Sequence, residues 1–104
     1  MTDAGSCRAD VWLWRARFFK TRSLAARYVE EGRMRLTRAG AESRLDKASR
    51  GLKLGDQLVF ALGGRVVALR IEAFGDRRGP ATEARTLYAP LDDAESARTP
   101  VRPV

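Results

Sequence analysis

The chain has 104 residues, 44% of them hydrophobic, 8% aromatic and 32% charged, which is enough for one small folded domain and too short for a second, catalytic one. Twenty basic against thirteen acidic residues give a net charge of +7 at pH 7, and seventeen of the bases are Arg, so a polyanionic partner is expected. There is no His and a single Cys, Cys7, which excludes an intramolecular disulfide and a zinc site of the usual Cys/His type. The first seven residues hold no apolar signal segment, and the longest apolar runs, such as Leu58 to Leu62, are about a quarter of the ~20 residues of a membrane span. The expected setting is the cytoplasm, without membrane contact, with Cys7 an unactivated thiol in a loose N-terminal segment.

The charge is concentrated. Residues 8–53 carry thirteen bases and five acids, whereas residues 54–104 carry seven of each. Such polarity predicts one basic face rather than a generally cationic surface.

In chain order, Asp10 reads as the N-cap of a helix reaching Phe19, apolar on most sides through Val11, Trp12, Leu13, Trp14, Ala16, Phe18 and Phe19. Thr21 caps a second helix whose Leu24, Ala25, Tyr28 and Val29 form a core-facing stripe and whose stop is Gly32. After Gly32 the period changes to two, with Met34 and Leu36 apolar and Arg33 and Arg35 on a wet, basic side. Residues 38–43 read as a polar connection. Leu54-Gly55-Asp56 signals a turn, and Gln57 to Leu62 and Arg65 to Phe74 read as strands joined by Gly63-Gly64 in a hairpin, with Val66, Ala68 and Ile71 packing inward. Arg77-Arg78-Gly79-Pro80 ends that unit, a short helix is expected over Ala81 to Leu87, and the chain beyond Pro90 reads as a tail.

No Gly-rich phosphate loop occurs, no His is present to activate a nucleophile, and Lys20, Lys47 and Lys53 lie in polar surroundings, so no catalytic constellation and no cofactor is expected. What stands out is a basic set: Arg8, Arg15, Arg17, Lys20, Arg22, Arg27, Arg33, Arg35, Lys47, Arg50 and Lys53. Guanidinium forks suit phosphates and stack on unpaired bases. In Lys20-Thr21-Arg22-Ser23, free N–H groups at a helix start would add donors for an anion, although Thr21 and Ser23 also serve as ordinary caps. Trp12, Trp14, Phe18 and Phe19 read more readily as core than as base-stacking platforms.

Taken in order, Arg8-Ala9-Asp10-Val11-Trp12-Leu13-Trp14, Arg17 through Ala25, Glu31-Gly32-Arg33-Met34-Arg35-Leu36 and Leu54-Gly55-Asp56 resemble the RNA-binding domain named after ribosomal small-subunit protein S-four. The series is most similar to that family's small, stand-alone, heat-shock-type members, which associate with ribosomes. The resemblance implies an α+β fold in which two short packed helices sit on a small twisted, mainly antiparallel sheet (the alpha-L motif), with a short C-terminal extension. It divides the chain into a flexible terminus at 1–7, the RNA-binding domain at 8–70, an extension of strand end and short helix at 71–91, and a disordered tail at 92–104. By position it implicates Arg8, Arg17, Lys20, Thr21, Arg22, Ser23, Arg33 and Arg35, with Lys47 and Ser49 in the loop that normally reads Lys-Pro-Ser. The chain departs from the pattern at Ala9 for Leu, Thr37-Arg38 for Asn-Gly, and Ala48 for Pro.

The resulting expectation is a non-enzymatic monomer that binds structured rRNA and tRNA. Its implied target is the large ribosomal subunit carrying peptidyl-tRNA, in rescue or recycling of stalled translation, a stress-response and ribosome quality control role. Two alternatives stay open: a helix-turn-helix-like DNA-binding regulator, and an accessory RNA-binding partner of an RNA-modifying enzyme.

Overall fold

Two short helices open the architecture in the computed structural model, which describes residues 5–91. The tail expected at 92–104 and most of the N-terminal segment expected at 1–7 lie outside the described residues. Helix α1 spans Ala9–Arg15 and α2 spans Arg22–Glu30. The α1 helix is shorter than its apolar content predicts because the chain leaves it through a left-handed residue that is not glycine, Arg17 at φ 68°. Around it, Arg17 N–H donates to the Trp14 carbonyl and Phe18 N–H to the Leu13 carbonyl, both at 3.1 Å, the paired bonds of a Schellman ending. Asp10 is not the N-cap; Arg8 holds that position, and the Asp10 carboxylate, in the first turn, accepts from Val11 N–H at 2.8 Å. Helix α2 begins as expected, with Thr21 Oγ1 accepting from Leu24 N–H at 3.1 Å, and ends at Gly32, φ 76°.

The remaining elements build a five-stranded antiparallel sheet in the order β3-β2-β5-β6-β7, from β2 (Met34–Arg38), β3 (Ala41–Leu45), β5 (Gln57–Leu62), β6 (Arg65–Ile71) and β7 (Tyr88–Pro90). A two-stranded annex pairs β1 (Cys7–Arg8) with β4 (Gly51–Leu52), so Cys7 sits half-buried in a strand rather than in a loose segment. The segment 38–43, expected as a connection, is a tight hairpin instead: β2 pairs with β3 from Met34↔Leu45 to Arg38↔Ala41, and Ala39 and Gly40 turn at φ 52° and 81°. Two consecutive positive φ values are those of a type I′ turn, whose twist matches that of the flanking strands. The Gly63-Gly64 hairpin is as expected, and it sets Ala61 opposite Val66 and Phe60 opposite Val67.

One face of the sheet packs on the helices. Met34, Leu36, Leu45, Leu58, Phe60, Leu69 and Ile71 are buried with Trp12, Leu13, Ala25 and Val29. Full burial stabilises each Leu by roughly 1.5–3 kcal/mol relative to exposure. Val66 points the other way and is 74% exposed, and Leu24 is 43% exposed, so neither belongs to the core as expected. Trp12 lies at the centre and donates its indole N–H to the Ala73 carbonyl at 2.8 Å. Phe18 packs on Tyr88 and Phe60 with ring centroids 4.9 and 5.5 Å away, and Phe19 on Tyr28 at 5.3 Å, which makes these aromatics packing residues. The short helix α3 (Ala81–Ala84) and a 3-10 turn (Arg85–Leu87) fall where a helix was expected and lead into β7, a strand with no clear signal in the sequence.

Candidate nucleic-acid interface

The connection between the helices is held from behind. Arg17 Nε donates to the Gly79 carbonyl at 2.6 Å, and Arg78 returns the contact, with Nε donating to the Trp14 carbonyl at 3.1 Å and Nη2 to the Phe19 carbonyl at 3.5 Å. Arg15 Nη1 donates to the Gly75 carbonyl at 2.9 Å. Arg15 and Arg17 therefore tie down the segment at 75–79. That clasp fixes the turn carrying Lys20, Thr21, Arg22 and Ser23, all of which are exposed.

At the start of α2, the Thr21 cap satisfies one amide, and the first-turn amides of Arg22 and Ser23 have no partner within the helix by geometry. The side chains of Lys20, Arg22 and Arg27 form no ion pair among the described residues. A shallow depression lined by Asp10, Arg22, Ser23 and Ala26 continues into a second one lined by Ser23, Ala26, Arg27, Glu30 and Glu31. The open surface along α2 is thus of mixed charge, with the bases Arg22 and Arg27 and the acids Asp10, Glu30 and Glu31.

The start of α1 is closed differently. Its first amides are taken by backbone carbonyls of the loop at 46–50, Ala9 N–H to Arg50 at 2.9 Å and Asp10 N–H to Ala48 at 3.1 Å. Ala48 is buried under this contact, and Lys47 and Ser49 on either side are exposed. Arg8 forks onto the Asp10 carboxylate with two bonds of 3.1 Å, and that hydrogen bonding and charge raise the guanidinium above its ordinary value, so it is cationic at every relevant pH. Lys53 lies further off, at the turn that leads to Asp56, where its N–H donates to Asp56 Oδ2 at 2.8 Å.

At the far end of α2, the Arg33 guanidinium lies 5.0 Å over the Tyr28 ring and pairs with Glu31 at 2.7 Å. Arg35 is exposed on β2 and is 3.8 Å from Glu42. Two arginines outside the predicted set lie on the same hairpin. Arg44, on β3, stands directly opposite Arg35. Arg38, at the end of β2, turns inward, with Nε and Nη2 donating to Asp56 at 2.9 and 2.7 Å. Neither strand position was visible as such, because Ala41-Glu42-Ser43-Arg44 has no apolar alternation; the Ala39-Gly40 pair was the available signal.

Lys20, Arg22, Ser23 and Arg27 are exposed along the turn and α2, Arg8, Lys47 and Ser49 are exposed near the start of α1, Arg33 is exposed at the entry to β2, and Arg35 is exposed on the sheet face away from the helices. Arg15 and Arg17 each donate to the segment at 75–79, with Arg17 still exposed, Arg50 contributes its backbone and is half-buried, and Lys53 is exposed at the turn before Asp56.

Fold and surface together define a small α+β protein with exposed bases on α2 and on the β2–β3 hairpin, and no helix among the described residues is long and apolar enough to cross a membrane. The chain belongs to the heat shock protein 15 family. It is 36% identical to the Vibrio cholerae heat shock protein 15 whose trimeric structure has been solved, with a TM-score of 0.75 over 86% of this chain and 85% of that one. The Haemophilus influenzae heat shock protein 15 homolog is 34% identical over 88% of this chain, and Escherichia coli heat shock protein 15 is 37% identical over 78%. The chain spans 66% and 57% of the lengths of these two relatives. No family model matches. The solved relative is a trimer, against the monomer expected from the sequence.

Proposed function

We propose that this chain is a non-enzymatic RNA-binding protein of the S-four type that docks its α2 surface and basic hairpin on structured rRNA or tRNA. Within that reading, its target is the large ribosomal subunit carrying peptidyl-tRNA, and its role lies in the rescue or recycling of stalled translation. The observation that carries the reading is that Lys20, Arg22 and Arg27 are exposed and form no ion pair among the described residues. Surface cations without internal partners are free to displace counterions from a phosphate backbone. Because the A-form major groove is too narrow for side chains to read, such a face recognises shape and backbone. Family membership supports the same reading.

The test is sedimentation of tagged protein with cell extract through sucrose gradients, with large subunits that retain or lack peptidyl-tRNA. Co-migration with the large subunit, strengthened when peptidyl-tRNA is retained, is expected. In parallel, with about five phosphates contacted, log K should fall against log salt with a slope of roughly −3 to −5. Lys20→Ala with Arg22→Ala should weaken RNA binding by about 1–3 kcal/mol without altering the melting curve. Preference for duplex DNA over structured RNA in competition would overturn the reading in favour of a DNA-binding regulator.

A further inference from the structure

The β2–β3 hairpin sets two like charges against each other. Arg35 and Arg44 are direct cross-strand partners, and both are exposed. The hairpin closes with a two-residue loop after Arg38↔Ala41. Counting back by alternation places Arg35↔Arg44 at a non-hydrogen-bonded position, where Cα atoms are only about 4.5 Å apart and side chains run closest. Like charges placed directly opposite destabilise a sheet. Glu42 reaches Arg35 only at 3.8 Å, and Arg44 has no ion-pair partner among the described residues.

The neighbouring chain makes room for Arg44. A Cβ on Gly32 would stand 3.3 Å from Arg44 Cδ and 3.8 Å from its Nη1, so the Arg44 stem runs over the glycine that ends α2. Arg44 shares with Arg35 the exposed side of the hairpin, opposite to the side on which Met34, Leu36 and Leu45 are buried. We infer that Arg35 and Arg44 form a paired-guanidinium seat for a backbone phosphate of the bound RNA. The inference rests on the RNA-binding reading above and extends it to a residue outside the sequence-predicted set. An anion between the two guanidiniums converts their repulsion into a shared charge-assisted contact, and two forks on adjacent strands match the two free oxygens of a phosphodiester.

The consequence is a split in sign between stability and binding. Arg44→Ala removes the like-charge pair, so at low salt the melting temperature should hold or rise, whereas affinity for a fluorescein-labelled RNA stem-loop should fall about tenfold and the salt slope shrink by about one. Arg44→Glu should raise the melting temperature further and weaken RNA binding more. Arg65→Ala, at the opposite hairpin, is the control expected to bind as the wild type does. If Arg22→Ala weakens binding but Arg44→Ala leaves both affinity and slope unchanged, the seat is wrong and the RNA-binding reading stands. Wild-type protein that does not bind the stem-loop at any salt concentration overturns both. A fall in melting temperature matched by a proportionate loss of binding would make Arg44 a merely structural residue and would also overturn the seat.

Discussion

Arg38 and Asp56 form a two-pronged ion pair, 2.9 and 2.7 Å, between the end of β2 and the turn before β5. Asp56 is 2% exposed and Arg38 about a third, and Arg38 Nη2 also donates to the Gly51 carbonyl at 3.1 Å. One guanidinium thus joins β2, β4 and the Leu54-Gly55-Asp56 turn. The asymmetry of burial predicts an asymmetry of effect. Arg38→Ala leaves a buried carboxylate with the Lys53 amide as its remaining donor and should cost about 3–5 kcal/mol in urea unfolding. Asp56→Ala frees an arginine that swings to water, and should cost distinctly less. Equal losses would show that the charge is not what the interior notices.

The exposure of Leu24 separates it from the stripe its spacing suggested. Leu24→Ala should change stability by less than about 1 kcal/mol, since little apolar area returns to water. Leu58→Ala, on the buried face of β5, should cost about 2–5 kcal/mol through lost burial and a residual cavity. Thermal melts of the two variants, side by side, check the packing of α2.

Cys7 lies between β4 and the Arg15 side chain, whose Nη1 is 3.8 Å from its sulfur. Burial pushes the thiol up, with Arg15 pulling it down less strongly and Asp10 adding to the rise. A thiol that keeps its proton to higher pH when folded stabilises the fold fully below the unfolded thiol value, and that contribution is lost as pH rises through the folded value. At mildly alkaline pH, a chromogenic aromatic disulfide should therefore react more slowly with the native protein than with the chain in denaturant. Equal rates would mean the β1–β4 annex does not protect the sulfur.

Much of this architecture is legible in the residues because local chemistry decides it. Thr21 caps, Gly32 stops α2, Gly63-Gly64 turns, and Met34 and Leu36 alternate inward, each from its own few neighbours. Where distant contacts decide, the reading failed. Arg17 ends α1 at a positive φ that its own sequence disfavours, and its guanidinium is held by a carbonyl sixty-two positions away. The run Val66-Val67-Ala68-Leu69 has no phase of its own. Its phase follows from the Gly-Gly turn, which puts inward Phe60 opposite Val67 and so sends Val66 outward. Within the proposed binding face, the helix-borne bases were readable from the basic run around Thr21. Arg44 was not, because a strand of Ala, Glu, Ser and Arg shows itself only through its pairing with β2.

The bonds that pin the later part of α1 and its turn come from residues that follow at great sequence distance: Trp12 to Ala73, Arg15 to Gly75, Arg17 to Gly79, and Arg78 back to Trp14 and Phe19. During synthesis the first helix leaves the ribosome long before the segment that locks it, and contacts of such separation form late and slowly. The turn between the helices is therefore translated early and latched late. A nascent chain halted before Gly79 would carry its cationic turn unlatched.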